Sequence, residues 1–178
     1  GLRAWLGCCE HPKDWLHVRP LCPLTTTRLA GLAILRLPSE VLLQTPLPAK
    51  RILIIENVQS GLALPPLADT IAVFGGGNNL RWTQTHWLSE KHVAYWGDID
   101  TWGLKFLSDV RQRVATIDAL MMDRATLDQF ADRAVIEPSP YSEEPTALRS
   151  EERVLYHYLR DGCDGARRLE QERLDADY

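Results

Sequence analysis

Three carboxylates follow two apolar segments of this chain, at the point where each segment should end. The first segment, 52–55, is built of isoleucine and leucine and runs into Glu56. The second, 92–97, is followed by Asp98 and Asp100. Both segments have the length and apolar character of buried strands. Because ligands bind at the carboxyl ends of the strands in an open α/β sheet, the three carboxylates are predicted to meet at that edge.

Carboxylates that are crowded together repel one another unless a positive charge neutralises them. A hard divalent cation, Mg²⁺ or Mn²⁺, prefers oxygen ligands of this kind. Asp98 and Asp100 are therefore predicted to hold a metal ion. Glu56 either shares that ion or, with its pKa raised by acidic neighbours, transfers a proton to or from the reacting oxygen. All three are therefore candidate catalytic and metal-binding residues.

Other carboxylates are candidates for holding a second metal ion, which in two-metal sites lies about 3.5–4 Å from the first. Asp123 follows another predicted strand, and Glu170 and Glu172 lie near the end of the chain. Each has a structural alternative. An aspartate after a strand often caps the next helix, as Asp98 or Asp100 could too, and glutamates among arginines often form solvated salt bridges.

Strands and helices are predicted to alternate from residue 51 onwards, which is typical of a parallel sheet with helices on both faces. Predicted strands lie at 15–19, 32–37, 51–57, 70–74, 92–97 and 117–122. Predicted helices lie at 60–64, 79–89, 101–114, 150–160 and 166–174, with one more after Asp123. Asp100 and Asp123 are predicted to cap the helices that follow them. The fold class is therefore α/β.

Residues 1–50 differ from the rest of the chain because they are rich in proline. They are predicted to be an N-terminal extension or the remnant of a preceding domain, and 51–178 the catalytic domain. The chain of 178 residues fits one domain with a small appendage. Its first residue is Gly1 rather than methionine, so we expect it to be part of a longer protein.

Net charge, cysteine spacing and the length of apolar runs limit the classes of protein to which this chain can belong. The net charge of −4 provides no global basic field for nucleic acid, although local arginines could still bind phosphate. The four cysteines form no zinc-binding spacing, which favours reduced thiols and a cytoplasmic location. No apolar run reaches the roughly 18 residues that a membrane-spanning helix needs, so no membrane association is expected.

Five stretches, in this order, resemble one known family. They are IIEN at 54–57, FGGG at 74–77, YWGDIDT at 95–101, LMMDRATL at 120–127 and RLEQE at 168–172. Together they resemble the C-terminal toprim domain of JetD, the nuclease subunit of the Wadjet plasmid-defence system. That family is similar in plan to the A subunit of type VI topoisomerase. The resemblance spans about residues 51–173, and WGDIDT is its most specific stretch.

The resemblance implies a toprim fold, which is a Rossmann-like parallel sheet with helices on both faces. It implies a domain that cuts double-stranded DNA with a divalent metal ion, within a complex that contains SMC-like ATPase partners and recognises circular plasmids. It places the metal site at Glu56, Asp98 and Asp100. Toprim nucleases that cut both strands usually need two copies, so a homodimer is one option, and the sequence leaves the oligomeric state open.

Two other functions remain open. One is a non-cleaving DNA-binding or assembly module that keeps the toprim fold. The other is a phosphotransferase of the haloacid-dehalogenase type, whose Asp-x-Asp pair also follows a strand. In that class the pair should follow the first strand, and a threonine should stand two places beyond the second aspartate, where this chain has Trp102.

Overall fold

Six strands form one sheet in the computed structural model of the chain, which describes residues 1–7, 14–162 and 167–174. The spatial order of the strands is β2-β1-β4-β3-β5-β6. Their bounds are β1 (Trp15–Pro20), β2 (Leu35–Pro38), β3 (Arg51–Ile55), β4 (Thr70–Phe74), β5 (His92–Trp96) and β6 (Ile117–Ala119). A separate two-stranded ribbon pairs β7 (Val135–Ile136) with β8 (Arg167–Arg168).

Four neighbouring strands, β4, β3, β5 and β6, are parallel, whereas β1 runs antiparallel to both β4 and β2. The predicted α/β class with a Rossmann-like, mostly parallel sheet is therefore confirmed. The antiparallel pair at one edge comes from residues 1–50. Those residues thus extend the same sheet, and the division of the chain at residue 50 stays a prediction.

Helices cover both faces of the sheet. Within the described residues they are α1 (Leu2–Trp5), α2 (Pro23–Arg28), α3 (Ser39–Gln44), α4 (Val58–Ala63), α5 (Thr101–Arg111), α6 (Arg124–Gln129) and α7 (Ser150–Asp161). Side chains of a strand alternate between faces. Ile52 and Ile54 therefore join the larger core with α5 and α7, while Leu53 and Ile55 join a smaller core that includes Val58 of α4. Burial on both faces explains why β3 is apolar at every position from 52 to 55.

The predicted helix at 79–89 is wrong. The structure has two short 3-10 turns there, Arg81–Gln84 and His86–Glu90, separated by Thr85 in an extended conformation. Trp82 and Trp87 are both buried, and their rings stack with centroids 6.3 Å apart. Residues five apart lie on different sides of a continuous α-helix, so the break at Thr85 allows both rings to enter the core.

The predicted helix at 166–174 is also wrong over the part that the structure describes, while residue 166 lies outside the described residues. Arg167 and Arg168 form β8, Leu169 makes a bridge with Ile99, and Gln171–Arg173 is a 3-10 turn. The amides of Leu169 and Ile99 each donate to the other's carbonyl, at 3.0 and 2.9 Å. Pairing with this distant segment outweighs the local helix propensity of the sequence.

The remaining elements occur where they were predicted, with shifted ends. The strand predicted at 32–37 begins at Leu35, and the helix predicted from 101 ends at Arg111 rather than near 114. The strand predicted at 117–122 ends at Ala119, since Met121 has a positive φ of 52° that no extended strand accommodates. Both predicted helix caps are confirmed, because Asp100 and Asp123 accept hydrogen bonds from the first turns of α5 and α6.

Candidate functional site

The structure places Glu56, Asp98 and Asp100 at the carboxyl edge of the sheet, where the sequence predicts them. Glu56 directly follows β3, and both aspartates follow β5, which is paired with β3 so that Ile55 lies opposite Trp96. The Asp98 amide donates to Oε2 of Glu56 at 3.4 Å. The three side chains therefore occupy one cluster because their strands are neighbours in the sheet.

Gly97 is the residue that allows β5 to approach Glu56 so closely. A Cβ at position 97 would lie 2.9 Å from Oε2 of Glu56 and 2.8 Å from Cε1 of Tyr95, closer than side-chain carbons pack. The Tyr95 hydroxyl donates to the same Glu56 oxygen at 3.5 Å. Glycine before the first aspartate is thus a geometric requirement of the cluster.

Backbone amides hold one oxygen of each aspartate. Oδ1 of Asp98 accepts from the Gln171 amide at 2.9 Å, and Oδ1 of Asp100 accepts from the Gly103 amide at 2.6 Å. Any side chain at position 103 would overlap the Asp98 carbonyl oxygen. The second glycine of the motif therefore keeps the first turn of α5 packed against the turn that carries both aspartates.

Arg168 provides the positive charge in the cluster, which the sequence pattern did not reveal. Its guanidinium lies 3.5 Å from Oδ2 of Asp98, 3.5 Å from Oδ2 of Asp100 and 2.6 Å from Oε1 of Glu170. The stretch RLEQE contributed to the family resemblance, but nothing in its spacing linked Arg168 to residues some seventy positions earlier. Arg173 also contacts Glu170, at 2.9 Å.

Gln171 joins this C-terminal segment to the ends of both strands. Its side chain donates to the Trp96 carbonyl at 2.9 Å and accepts from the Asn57 amide at 3.2 Å. Together with its backbone hydrogen bond to Asp98, these contacts link β3, β5 and the segment after β8. Gln171 therefore positions the cluster although it carries no charge.

The carboxylates hold unusually high pKa values. Burial, reinforced by the charges of Asp98 and Asp100, raises the pKa of Glu56 to about 8. Burial also raises the pKa values of Asp98 and Asp100 to about 6, although a backbone hydrogen bond and Arg168 act in the opposite direction on each. The cluster is therefore short of positive charge even with Arg168 present, which is the electrostatic condition that favours a bound cation.

The donor set fits a hard divalent cation in chemistry and charge, because it consists of buried carboxylate oxygens. Asp98 and Asp100 are 8% and 6% exposed, so a cation there would be largely shielded from water. Within the described ranges, however, no three acidic, histidine or cysteine side chains are already arranged around one point. Each aspartate directs one oxygen to a backbone amide and the other to Arg168, so a cation would require these side chains to turn.

The candidates for a second ion occupy different surroundings. Glu170 lies in the cluster, between Arg168 and Arg173. Glu172 is exposed and accepts a hydrogen bond from the side chain of Asn57. Asp123 is also exposed and caps α6 by accepting from the Thr126 amide at 2.8 Å.

Glu137 is a further buried carboxylate near the site, and it was not among the residues predicted from the sequence. It is 5% exposed and accepts hydrogen bonds from the amide and the hydroxyl of Thr101, at 3.2 and 2.6 Å. Its charge contributes to the raised pKa of Asp100. The proline-rich loop that carries Glu137 has no periodic pattern, so only the fold could reveal this placement.

The comparisons with known proteins agree with the resemblance noted from the sequence. The family model described as Wadjet protein JetD, C-terminal, matches residues 1–178, which is the whole chain. A search of curated proteins found no match. None of the helices in the described part of the chain is long and apolar enough to cross a membrane. The chain belongs to the family of the C-terminal region of the Wadjet protein JetD.

Proposed function

We propose that this chain is the catalytic domain of a divalent-metal-dependent DNA endonuclease in a plasmid-defence complex. The observation that carries the proposal is the convergence of Glu56, Asp98 and Asp100 at one sheet edge, with pKa values raised mainly by burial. Membership of the Wadjet JetD family supports the assignment to plasmid defence.

Asp98 and Asp100, with Glu56 as a third ligand, would hold Mg²⁺ or Mn²⁺. When bound, such an ion supplies compensation for the negative charge that develops on the oxygens of a scissile phosphodiester. The backbones of β3 and β5 fix the two strand ends, and the Gly103 amide holds Asp100 at the start of α5. The protein thus fixes the backbone positions from which these side chains would turn towards the ion.

Glu56 also suits proton transfer. A group with a pKa of about 8 exists in both protonation states near neutral pH, so it can take up or release a proton there. The Tyr95 hydroxyl and the Asp98 amide both donate to Oε2 of Glu56, and these contacts orient its carboxylate. Sharing the ion and moving a proton remain the two roles for this side chain.

The substrate and partners follow from the same proposal. The substrate is double-stranded, closed-circular DNA, and the partners are SMC-like ATPase subunits of the defence complex. A homodimer would bring two such sites to the two strands. Affinity for DNA would come mainly from arginines that neutralise phosphates, so it should weaken steeply with salt.

The two alternatives predict different behaviour. A non-cleaving assembly module would bind DNA or metal without hydrolysis. A haloacid-dehalogenase-like phosphotransferase should carry its aspartate pair after the first strand. Here the pair follows β5, and two parallel strands precede it in the chain. This order disfavours the phosphotransferase.

The proposal is tested by Glu56→Gln in the complete defence complex, with closed-circular plasmid and Mg²⁺ or Mn²⁺. Loss of the proton-transfer group or ligand should slow cleavage by about 100-fold or more, while DNA binding in a mobility-shift assay stays unchanged. Glu90→Gln is the matched control, because Glu90 is exposed and precedes β5 at the opposite edge. Cleavage at the wild-type rate by Glu56→Gln would remove this residue from the mechanism.

The metal is tested separately. Wild-type protein should unfold at a higher temperature when Mn²⁺ is added, because an ion that binds only the folded state stabilises it. Asp98→Asn and Asp100→Asn should lose that stabilisation. Unchanged stabilisation in both variants places the ion elsewhere, and metal binding without any cleavage by the wild-type complex favours the assembly module.

A further inference from the structure

We infer that Arg168 is a built-in cation of the carboxylate cluster, and that the site consequently takes one divalent ion rather than two. This inference rests on the proposed function, because it concerns how many ions that site holds. The guanidinium faces both predicted metal ligands, Asp98 and Asp100, and also Glu170, which is a candidate ligand for a second ion.

The contacts of Arg168 are unequal. Its Nη2 makes a close ion pair with Glu170 at 2.6 Å, whereas the approaches to Asp98 and Asp100 are both 3.5 Å. The Nε atom is buried and has no hydrogen-bond partner among the residues that the structure describes. Glu170 therefore anchors Nη2 of the guanidinium, whereas Nε faces the cluster without a hydrogen bond to any described residue.

The backbone around Arg168 keeps it in place. Arg168 pairs with Val135 in the β7–β8 ribbon, and the next residue, Leu169, is 1% exposed and bridges Ile99. The backbone of Arg168 can therefore leave the cluster only if this ribbon separates from Ile99. The ion pair with Glu170 is what keeps the guanidinium itself beside the carboxylates.

Charge favours a single ion in this arrangement. The five carboxylates of Glu56, Asp98, Asp100, Glu137 and Glu170, together with the guanidiniums of Arg168 and Arg173, leave three negative charges when all are ionised. One divalent ion offsets two of these charges. A second ion held by Glu170 would share that carboxylate with the Arg168 guanidinium, and the two positive charges would repel each other in a poorly hydrated site.

An arginine can contact phosphate oxygens, which a second metal ion would otherwise do. A guanidinium is always protonated and presents a planar fork of donors that matches phosphate oxygens. The Arg168 side chain is 34% exposed, and its approaches to Asp98 and Asp100 are long, at 3.5 Å each. A phosphate oxygen of DNA at the cluster could therefore accept from Arg168 while other oxygens face the ion.

The test is calorimetric titration of Mn²⁺ into wild-type protein, Arg168→Met and Arg168→Lys, with the ion count confirmed by native mass spectrometry. Wild-type protein and Arg168→Lys should bind one ion. Arg168→Met should bind a second ion, or the first about tenfold more tightly, because a repelling charge has been removed. Arg167→Met is the matched control, since neighbouring residues of a strand point to opposite sides.

The outcomes separate this inference from the proposed function. Two ions in wild-type protein overturn the inference and leave the proposed nuclease intact, and this result needs no variant to fold. An Arg168→Met variant that is folded in EDTA, as judged by urea unfolding, and has wild-type ion count and affinity also overturns it. Wild-type protein that binds no ion overturns the proposed metal site and the inference with it.

Discussion

Removal of the Glu56 charge should stabilise the domain above neutral pH when no divalent ion is added. Burial and the neighbouring aspartates raise the pKa of Glu56 from its ordinary 4.5 to about 8. Between these values the folded protein holds a proton that the unfolded chain releases. The free energy of unfolding of the wild type should therefore fall as the pH rises from about 4.5 to about 8, and the loss should be complete above that range.

The size of this effect follows from the shift in pKa. Each pKa unit corresponds to about 1.4 kcal/mol, so the full shift of Glu56 corresponds to about 5 kcal/mol. Glu56 is partly exposed, and water screens its charge. We therefore expect about 3 kcal/mol of stabilisation in Glu56→Gln above pH 8. Asp98 and Asp100, whose pKa values are raised from 3.8 to about 6, should lower the stability of both proteins as the pH rises to about 6, and this loss is complete above that pH.

The assay is urea unfolding in EDTA, followed by tryptophan fluorescence, at several pH values from about 5 to about 8.5. The free energies of unfolding of wild type and Glu56→Gln should nearly coincide at the acidic end and diverge with rising pH. Glu90→Gln should follow the wild type throughout. Adding Mn²⁺ at high pH should reduce or reverse the extra stability of Glu56→Gln over the wild type, because the deprotonated ligands of the wild type bind the ion. Parallel curves for Glu56→Gln and wild type in EDTA would refute the electrostatic reasoning.

Two further substitutions test the scaffold around the site. Gly103→Ala should destabilise the domain by about 2–4 kcal/mol, because a Cβ there would overlap the Asp98 carbonyl oxygen; wild-type stability in urea would show that this turn relaxes freely. Arg111→Met should cost about 3 kcal/mol, because it leaves the buried carboxylate of Glu152 without a guanidinium that donates to it at 2.8 Å. Mn²⁺ affinity should stay unchanged in Arg111→Met, and a loss would mean that the distant ion pair supports the site.

The sequence by itself determined the strands that carry the site and the edge at which the site lies. Segments 52–55 and 92–96 are apolar and short, and both were found as neighbouring parallel strands. In a parallel sheet the carboxyl ends of all strands lie at one edge, so a carboxylate directly after each strand must come near the others. The caps at Asp100 and Asp123 were also predictable, because capping depends on residues within one helical turn.

Only the tertiary structure decided which residues complete the cluster. The Gln171 amide reaches Asp98 across 73 positions of the chain, and Arg168 reaches the same residue by an ion pair. Contacts across such separations leave no periodic pattern, and the local propensity of 166–174 favoured a helix that does not form in its described part. Leu169 instead pairs with Ile99, shortly after β5. The hydrogen bonds and burial gained by this pairing exceed what a short exposed helix offers.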